Sequence, residues 1–305
     1  MKRILLLLLI LFGSKVEVLT QENVDSSGFN TLSDESFKAV SAFFKYDRTI
    51  PLDAKTVERY DTRFYTREKI VFRGVRGDLV PGYLALPKNN DESHPIVILL
   101  HVGAGSKDSW WDITSFERGT EFTDSLLMYG IAVLALDAQF HGERSVNNDY
   151  LPIQQMYFDY KWFYRYRDGL IQTVGDYLRA IDYICQRREI DTQRIGVLGH
   201  SIGGAMAIMI AAIDQRIKCV VASVAAFSDS WLYPITPINL AGGVHVPTLI
   251  LGGQNDVVIN PDSIKRLYSA IASDIKEIEL YKSGHRLPEE NVSRSIQWLY
   301  KYLQK

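Results

Sequence analysis

The segment Gly199-His200-Ser201-Ile202-Gly203 places a serine between two glycines. The apolar run before it, residues 195–198, is typical of a short strand, and residues 202–213 after it are apolar enough for a buried helix. Glycine on both sides permits a tight strand-to-helix turn that holds the serine hydroxyl at its tip. The helix N-terminus would direct partial positive charge to the place where an oxyanion forms. The segment predicts that Ser201 is a nucleophile; the alternative is a glycine-rich turn with an incidental serine.

A serine hydroxyl is a poor nucleophile unless an oriented base takes its proton. His285 follows a strand-like run at 275–281, and Asp256 follows another at 248–251. Open α/β sheets bind ligands at the carboxyl ends of their strands, where both residues would lie. Taken alone, His285 could be a surface histidine and Asp256 a turn or helix-capping aspartate. Together with Ser201, they predict a catalytic triad.

A third segment could stabilise the oxyanion of such a reaction. His101-Val102-Gly103-Ala104-Gly105 follows the apolar run 96–100, and its small residues allow close backbone approach. A main-chain N–H from this turn could act together with that of Ile202. Gly103 is the favoured donor, and Val102 is the alternative. A connection without a ligand stays open, whereas a phosphate-binding loop is disfavoured because no Gly-Lys-Ser/Thr follows.

The elements that must position these residues follow a βαβ pattern. Continuous apolar runs, as in strands buried on both faces of a parallel sheet, alternate with helical patterns. Two β-prone runs at 69–72 and 80–86, separated by glycine and aspartate, predict an antiparallel hairpin before them. We therefore expect an α/β fold with a doubly wound, mostly parallel sheet, an N-terminal antiparallel hairpin and at most a small aromatic-rich insert. The predicted parallel strands are 96–100, 131–136, 195–198, 219–225, 248–251 and 275–281.

The first residues have the pattern of an export signal. Lys2 and Arg3 precede an apolar run at 4–12, which is too short to span a bilayer. We expect a signal peptide over 1–20, which places the protein outside the cytoplasm (periplasmic or secreted); an uncleaved membrane tether is the alternative. Residues 21–66 are interpreted as a lead-in with a short helix near 34–44, and 67–305 as a single α/β domain.

The composition excludes several other classes of protein. Lys and Arg number 34 against 36 Asp and Glu, so no broad basic field exists for nucleic acid. Two cysteines are too few for a disulfide scaffold or a cysteine zinc site, although an exported chain could pair Cys185 with Cys219. His141, Glu143 and Asp137 have no zinc or iron spacing, so no metal is expected.

Residues 150–166 contain eight aromatic residues. Such a segment could wall the entrance to the catalytic serine, or it could pack a helix onto the sheet. Both interpretations stay open. The first makes substrate contacts of Tyr157 and Trp162, together with Trp110 and Trp111 after the glycine-rich turn.

These features together resemble the α/β-hydrolase fold superfamily, most closely its serine esterases similar to dienelactone hydrolase and acetyl xylan esterase. The order Ser201, Asp256, His285 is that of the superfamily's triad. The resemblance implies structural, turn-stabilising roles for His101, His141 and His200. Further matching segments are Val97-Ile98-Leu99-Leu100-His101, Val133-Leu134-Ala135-Leu136-Asp137, Phe140-His141-Gly142-Glu143-Arg144 and Ile190-Asp191 through Arg194-Ile195-Gly196.

Three positions depart from the relatives. Dienelactone hydrolases use cysteine where Ser201 stands, Val102 replaces a usual glycine, and Arg286 stands where acetyl xylan deacetylases commonly carry glutamate. We expect an exported serine hydrolase that cleaves carboxylic esters of small or medium acyl groups through an acyl-enzyme on Ser201. No cofactor is expected, and the expected partner is a small-molecule ester with an acyl, phenolic or carbohydrate group. A serine peptidase of the same fold and a non-catalytic binding protein are the alternatives.

Overall fold

A computed structural model describes residues 16–17, 32–88, 93–153, 155–225 and 232–304. Ten strands of these residues form one sheet in the order β1-β10-β9-β8-β7-β5-β6-β4-β3-β2. The strands from β5 to β10 run parallel, whereas β1 and the three strands of the other edge pair antiparallel with their neighbours. The strands are β1 (Val16–Glu17), β2 (Lys55–Asp61), β3 (Tyr65–Arg73), β4 (Leu79–Pro87), β5 (His94–Leu100), β6 (Ala132–Leu136), β7 (Ile190–His200), β8 (Ile217–Ser223), β9 (Thr248–Gly253) and β10 (Lys276–Tyr281).

Helices cover both faces of the sheet. The third, fourth and sixth pack on one face, and the second and seventh pack on the other. In the described part of the chain, no helix combines the length and apolar character needed to cross a membrane. The helices are α1 (Asp34–Ser41), α2 (Gly119–Met128), α3 (Phe163–Ile184), α4 (Ile202–Ile213), α5 (Pro237–Leu240), α6 (Pro261–Ala270) and α7 (Glu290–Leu303).

The central strand β5 explains why the parallel strands read as continuous apolar runs. All seven of its residues are buried. Ile96, Ile98 and Leu100 belong to the core on the α3/α4 face, and Val97 and Leu99 belong to the core on the α2/α7 face. A strand that contributes to two cores needs apolar side chains on both faces. The prediction of a doubly wound, mostly parallel sheet is confirmed.

The predicted hairpin is formed by β3 and β4, with Phe72 opposite Val80. It joins the parallel strands because β4 pairs antiparallel with β6. The edge strand β2 was not predicted and falls within the segment assigned to the lead-in. All of its residues are exposed, so no alternation of apolar and polar residues marks it.

Two helices begin at places that no sequence pattern indicated. Helix α3 runs from Phe163 to Ile184, so it begins inside the aromatic segment. Helix α2 was not predicted, because its N-cap residue, Arg118, has no side-chain oxygen to accept a backbone N–H; the backbone of Arg118 is left-handed. Its first residue must be glycine, since a Cβ on Gly119 would lie 2.0 Å from the backbone oxygen of Ser109.

Two further expectations concern the termini and the thiols. Most of the predicted signal peptide, residues 1–15 and 18–20, lies outside the described residues. Cys185 and Cys219 are free thiols, the first half-buried and the second buried.

Candidate active site

The structure brings together the three residues predicted to act as a triad. The Nε2 atom of His285 lies 2.9 Å from Ser201 Oγ. The Nδ1 atom of the same ring lies 2.8 Å from Asp256 Oδ2. The imidazole therefore connects a hydroxyl and a carboxylate by hydrogen bonds, one on each ring nitrogen.

Ser201 stands at a sharp turn between β7 and α4. Its backbone has φ 58° and ψ −121°, a strained conformation for a residue with a side chain. The turn needs the glycines around it: a Cβ on Gly203 would lie 2.1 Å from the carbonyl oxygen of Leu100, and one on Gly199 would lie 2.2 Å from that of Gly203. The N–H of Ser201 donates to the Ser223 carbonyl at 2.8 Å, which fixes the turn to β8.

Asp256 is buried in the loop after β9. Its Oδ1 accepts the backbone N–H groups of Val258 at 2.8 Å and Ile259 at 3.0 Å, which leaves Oδ2 for His285. Burial by itself would raise the pKa of Asp256, but the hydrogen bonds from His285 and Ile259 outweigh it and hold the pKa below its usual value. The carboxylate is therefore ionised at neutral pH and oriented by its own loop.

The loops that carry Asp256 and His285 are bound to each other. The N–H of Asn255 donates to the Ser283 carbonyl at 2.9 Å, and a Cβ on Gly253 would lie 2.2 Å from the Gly284 carbonyl oxygen. His200 supports the second loop through its Nε2–H, which donates to the His285 carbonyl at 3.1 Å. Burial lowers the pKa of His200 to about 3, so this ring is neutral.

The turn after β5 lies beside the nucleophile. A Cβ on Gly103 would be 3.7 Å from the Cγ2 atom of Ile202, so the two residues are neighbours. Burial lowers the pKa of His101 to about 3, which makes this ring neutral as well. Its Nε2 accepts the Ala138 N–H at 3.1 Å, so its Nδ1 carries the proton and donates to the Val102 carbonyl at 2.7 Å.

This hydrogen bond sets the direction of the Gly103 N–H. In a trans peptide the C=O and N–H point in opposite directions. Because His101 holds the carbonyl of the Val102–Gly103 peptide on one side, the Gly103 N–H points to the other. The Val102 N–H is engaged elsewhere, since Glu117 accepts a hydrogen bond from it; burial nevertheless raises the pKa of Glu117.

A buried ion pair fixes the same turn to the loop after β6. Lys107 Nζ lies 3.1 Å from Asp137 Oδ2 and 2.7 Å from Glu143 Oε1. Burial alone would lower the pKa of Lys107, but the charge of Asp137 and the hydrogen bond to Glu143 raise it. Asp137 also accepts the backbone N–H groups of Lys107 and Glu143. His141, on this loop, lies 2.9 Å from the Gly103 carbonyl.

The aromatic residues predicted as substrate contacts lie in different surroundings. Trp110 has no exposed surface and packs edge-on against Phe122 in the core, so it lines no open surface. Trp111 is half-buried against Tyr83. Trp162 is 41% exposed and stacks on a neighbouring tyrosine. Tyr157 packs on Phe158, Phe163 and Tyr166, all within the aromatic segment.

The aromatic segment approaches the start of α4 through Tyr166. A narrow cavity lies beside Ile202 and Met206 of α4, and Tyr166 and Leu170 of α3 close its other side together with His141. The segment therefore forms the start of α3, and one of its rings lines a small cavity next to the candidate oxyanion donor.

Sequence reasoning missed two residues close to the site. The ring of Phe116 lies 6.0 Å from that of His285 and 5.7 Å from that of His200. Lys107 forms the buried ion pair described above. No sequence pattern near either residue indicates its position at the site. Phe116 belongs to an irregular loop, and Lys107 contacts Asp137, thirty residues further along the chain.

Two family models match overlapping parts of the chain. The model of the acetyl xylan esterase (AXE1) family matches residues 27–232, and that of the PET hydrolase-like family matches residues 176–305. YtaP of Bacillus subtilis, which is described as a hydrolase, is 28% identical over 175 residues, 54% of this chain and 56% of its own length. The chain thus spans about half the length of this relative.

Two esterases match over more of the chain. The acetyl esterase Axe7A of Xylanibacter ruminicola is 24% identical over 288 residues, 83% of this chain and 63% of its own length. The structure of an acetyl xylan esterase from Paenibacillus sp. R4 superposes with a TM-score of 0.68 at 20% identity, covering 90% of this chain and 96% of that one. The chain belongs to the acetyl xylan esterase (AXE1) family of ester hydrolases.

Proposed function

We propose that this chain hydrolyses carboxylic esters of small or medium acyl groups through an acyl-enzyme on Ser201. The observation that carries the proposal is the position of the His285 imidazole, 2.9 Å from Ser201 Oγ and 2.8 Å from Asp256 Oδ2. A base within hydrogen-bond distance of a hydroxyl, and itself oriented by a carboxylate, is the arrangement that activates serine.

In the acylation step Ser201 Oγ attacks the ester carbonyl carbon while His285 Nε2 takes the hydroxyl proton. The N–H groups of Ile202 and Gly103 bind the oxyanion of the tetrahedral intermediate. The intermediate collapses as the bond from carbon to the leaving oxygen breaks, and His285 returns the proton to the departing alcohol. The acyl group then remains on Ser201.

In the deacylation step a water molecule attacks the acyl-enzyme, and His285 again takes and returns one proton. The acid leaves, and the Ser201 hydroxyl is restored. The ionised Asp256 keeps the imidazole in the tautomer that has a free electron pair on Nε2, and it stabilises the imidazolium that forms in each step.

The Ser201→Ala variant tests the mechanism. We expect hydrolysis of 4-nitrophenyl acetate to fall by about a thousandfold or more, because no acyl-enzyme can form. Labelling by a fluorophosphonate probe should disappear as well. Ser269→Ala is the matched control, because among the described residues that hydroxyl bonds only to the Lys265 carbonyl of its own helix, α6. Substantial activity in Ser201→Ala, with the control unchanged, would contradict the mechanism.

Assays on the same protein preparation distinguish this proposal from two alternatives. A serine peptidase of this fold would cleave members of a dipeptide amide panel at a measurable rate, whereas an esterase would cleave 4-nitrophenyl esters and leave the amides intact. A non-catalytic binding protein would neither cleave esters nor react with the fluorophosphonate. The three hydrogen-bonded groups favour an enzyme over a binding protein, because binding alone requires no oriented base.

We also propose that the chain is exported. The support comes from the sequence, in which Lys2 and Arg3 precede the apolar run 4–12. Mass spectrometry of the protein isolated from its natural host should show a mature N-terminus near residue 20. A chain that still begins at Met1 would contradict cleavage.

A further inference from the structure

Phe116 and Arg286 form an exposed pair beside His285. The ring of Phe116 is tilted by 34° against the imidazole at 6.0 Å, and it remains 41% exposed. The guanidinium carbon of Arg286 lies 5.9 Å from the centre of the Phe116 ring. We call this pair the Phe116–Arg286 platform. It extends outward from the imidazole, first as an aromatic surface and then as a positive charge.

The platform is held by the loop that carries Phe116. Its two neighbours in the chain, Ser115 and Glu117, are both buried. The hydroxyl of Ser115 accepts the Gly119 N–H at 2.7 Å, which fixes the loop to the start of α2. Phe116 is therefore an exposed ring on an anchored turn, and its position next to His285 is fixed by the fold.

The charge of Arg286 is available to a ligand. Over the described residues, no carboxylate forms an ion pair with Arg286, and its guanidinium donates a long hydrogen bond of 3.5 Å to the Ser115 carbonyl. Arg286 is exposed and adjacent to His285 in sequence. A guanidinium stacked on an aromatic ring keeps its edge donors for a planar anion such as a carboxylate.

The proposed reaction determines what meets this platform. His285 gives its proton to the leaving oxygen, so the alcohol part of the ester lies on the imidazole side of the site. We propose that the Phe116–Arg286 platform binds this leaving group and selects aryl esters. The preferred leaving group is a phenol whose ring carries an anionic group on the side opposite the ester oxygen. The inference rests on the proposed esterase function and adds the class of leaving group.

A pair of substrates that differ only in this charge tests the proposal. Loss of the acetyl group from 4-acetoxybenzoate releases a phenol that carries a carboxylate on its ring. Loss of the acetyl group from the methyl ester of this compound releases a phenol whose ring carries no charge. We expect the ratio of their kcat/KM values, anionic over neutral, to fall about fivefold in Arg286→Gln, the size of a partly exposed ion pair. Arg286→Lys should keep part of the preference. Adding about 0.5 M NaCl should weaken it in the wild type.

Arg188→Gln is the matched control, because this exposed arginine lies between α3 and β7, at the amino end of the strand whose carboxyl end carries Ser201. It should leave the ratio unchanged. The proposal is overturned if the ratio is the same in Arg286→Gln and wild type, or if both substrates lose activity equally. Failure of the esterase proposal is recognised separately, since wild-type protein would then cleave neither these acetates nor 4-nitrophenyl acetate.

Discussion

At Ser201 the backbone itself is part of the site. Its positive φ costs about 1–3 kcal/mol, which the surrounding structure must supply. The hydrogen bond from its N–H to Ser223 and the close packing of Gly203 on Leu100 hold it in place. The gain is that the hydroxyl lies at the tip of the turn, with the imidazole of His285 on one side and the start of α4 on the other.

His101 provides a prediction at this scale. His101→Phe removes the N–H that holds the Val102 carbonyl, so the Gly103 N–H loses its orientation. We expect kcat to fall about tenfold to a hundredfold with little change in KM, since the contact is used in the transition state. His101→Asn, whose amide can donate near the Nδ1 position, should recover much of the loss. Steady-state kinetics with 4-nitrophenyl acetate measures both, and equal activity of His101→Phe and wild type would contradict the positioning role.

At the scale of elements, α4 and β5 approach each other so closely that only glycine fits between them. Gly203 and Gly103 are both near the nucleophile, yet their surroundings differ. A Cβ on Gly203 would meet the backbone of Leu100 at 2.1 Å, whereas a Cβ on Gly103 would make an ordinary contact with Ile202 at 3.7 Å.

Alanine substitutions at these two positions form a matched pair. Gly203→Ala must displace α4 or β5, so we expect a loss of about 3 kcal/mol or more in the free energy of unfolding. Gly103→Ala should unfold within a few degrees of the wild type. Thermal unfolding followed by circular dichroism checks both. Similar melting temperatures for the two variants would show that the close contact of α4 with β5 is not rigid.

The ion pair of Lys107 and Asp137 shows what sequence could not predict at this scale. Ser201, Asp256 and His285 could be predicted because each directly follows a recognisable strand. Lys107 and Asp137 lie on different loops, and they meet because β5 and β6 are neighbours in the sheet. That pairing depends on the order of strands, which no local pattern contains.

Burial was equally difficult to read from residue type. Trp110 and Trp111 are adjacent and chemically identical, but the first lies in the core and the second is only half-buried. The edge strand β2 could not be recognised for a different reason: none of its side chains is buried, so no apolar pattern marks it. Sequence patterns identify elements with one apolar face or two, and they do not identify elements without one.

At the scale of the whole molecule, two neutral buried histidines make stability depend on pH. His101 and His200 have pKa values lowered from 6.5 to about 3 in the folded chain. As pH falls below about 6.5, the unfolded chain binds these protons first, so the stability present above this pH is lost progressively down to about 3. Each histidine should remove about 2 kcal/mol between pH 7 and pH 5.

His101→Asn isolates this contribution. The variant lacks one titrating group and keeps all the others, so the difference in unfolding free energy between wild type and variant should shrink by about 2 kcal/mol from pH 7 to pH 5. Urea unfolding at the two pH values measures it. If the difference stays constant, His101 has the same pKa in the folded and the unfolded chain, which would contradict the prediction.

The distribution of the site along the chain has a practical consequence for engineering. Ser201, Asp256 and His285 follow β7, β9 and β10, all within the span of the PET hydrolase-like match, whereas the aromatic segment follows β6 and ends before that span begins. The parts that move protons and the segment that shapes the cavity are therefore encoded in separate stretches. We expect that residues 150–166 can be transplanted from related enzymes as a cassette, which would change the substrates accepted while the proton relay stays intact.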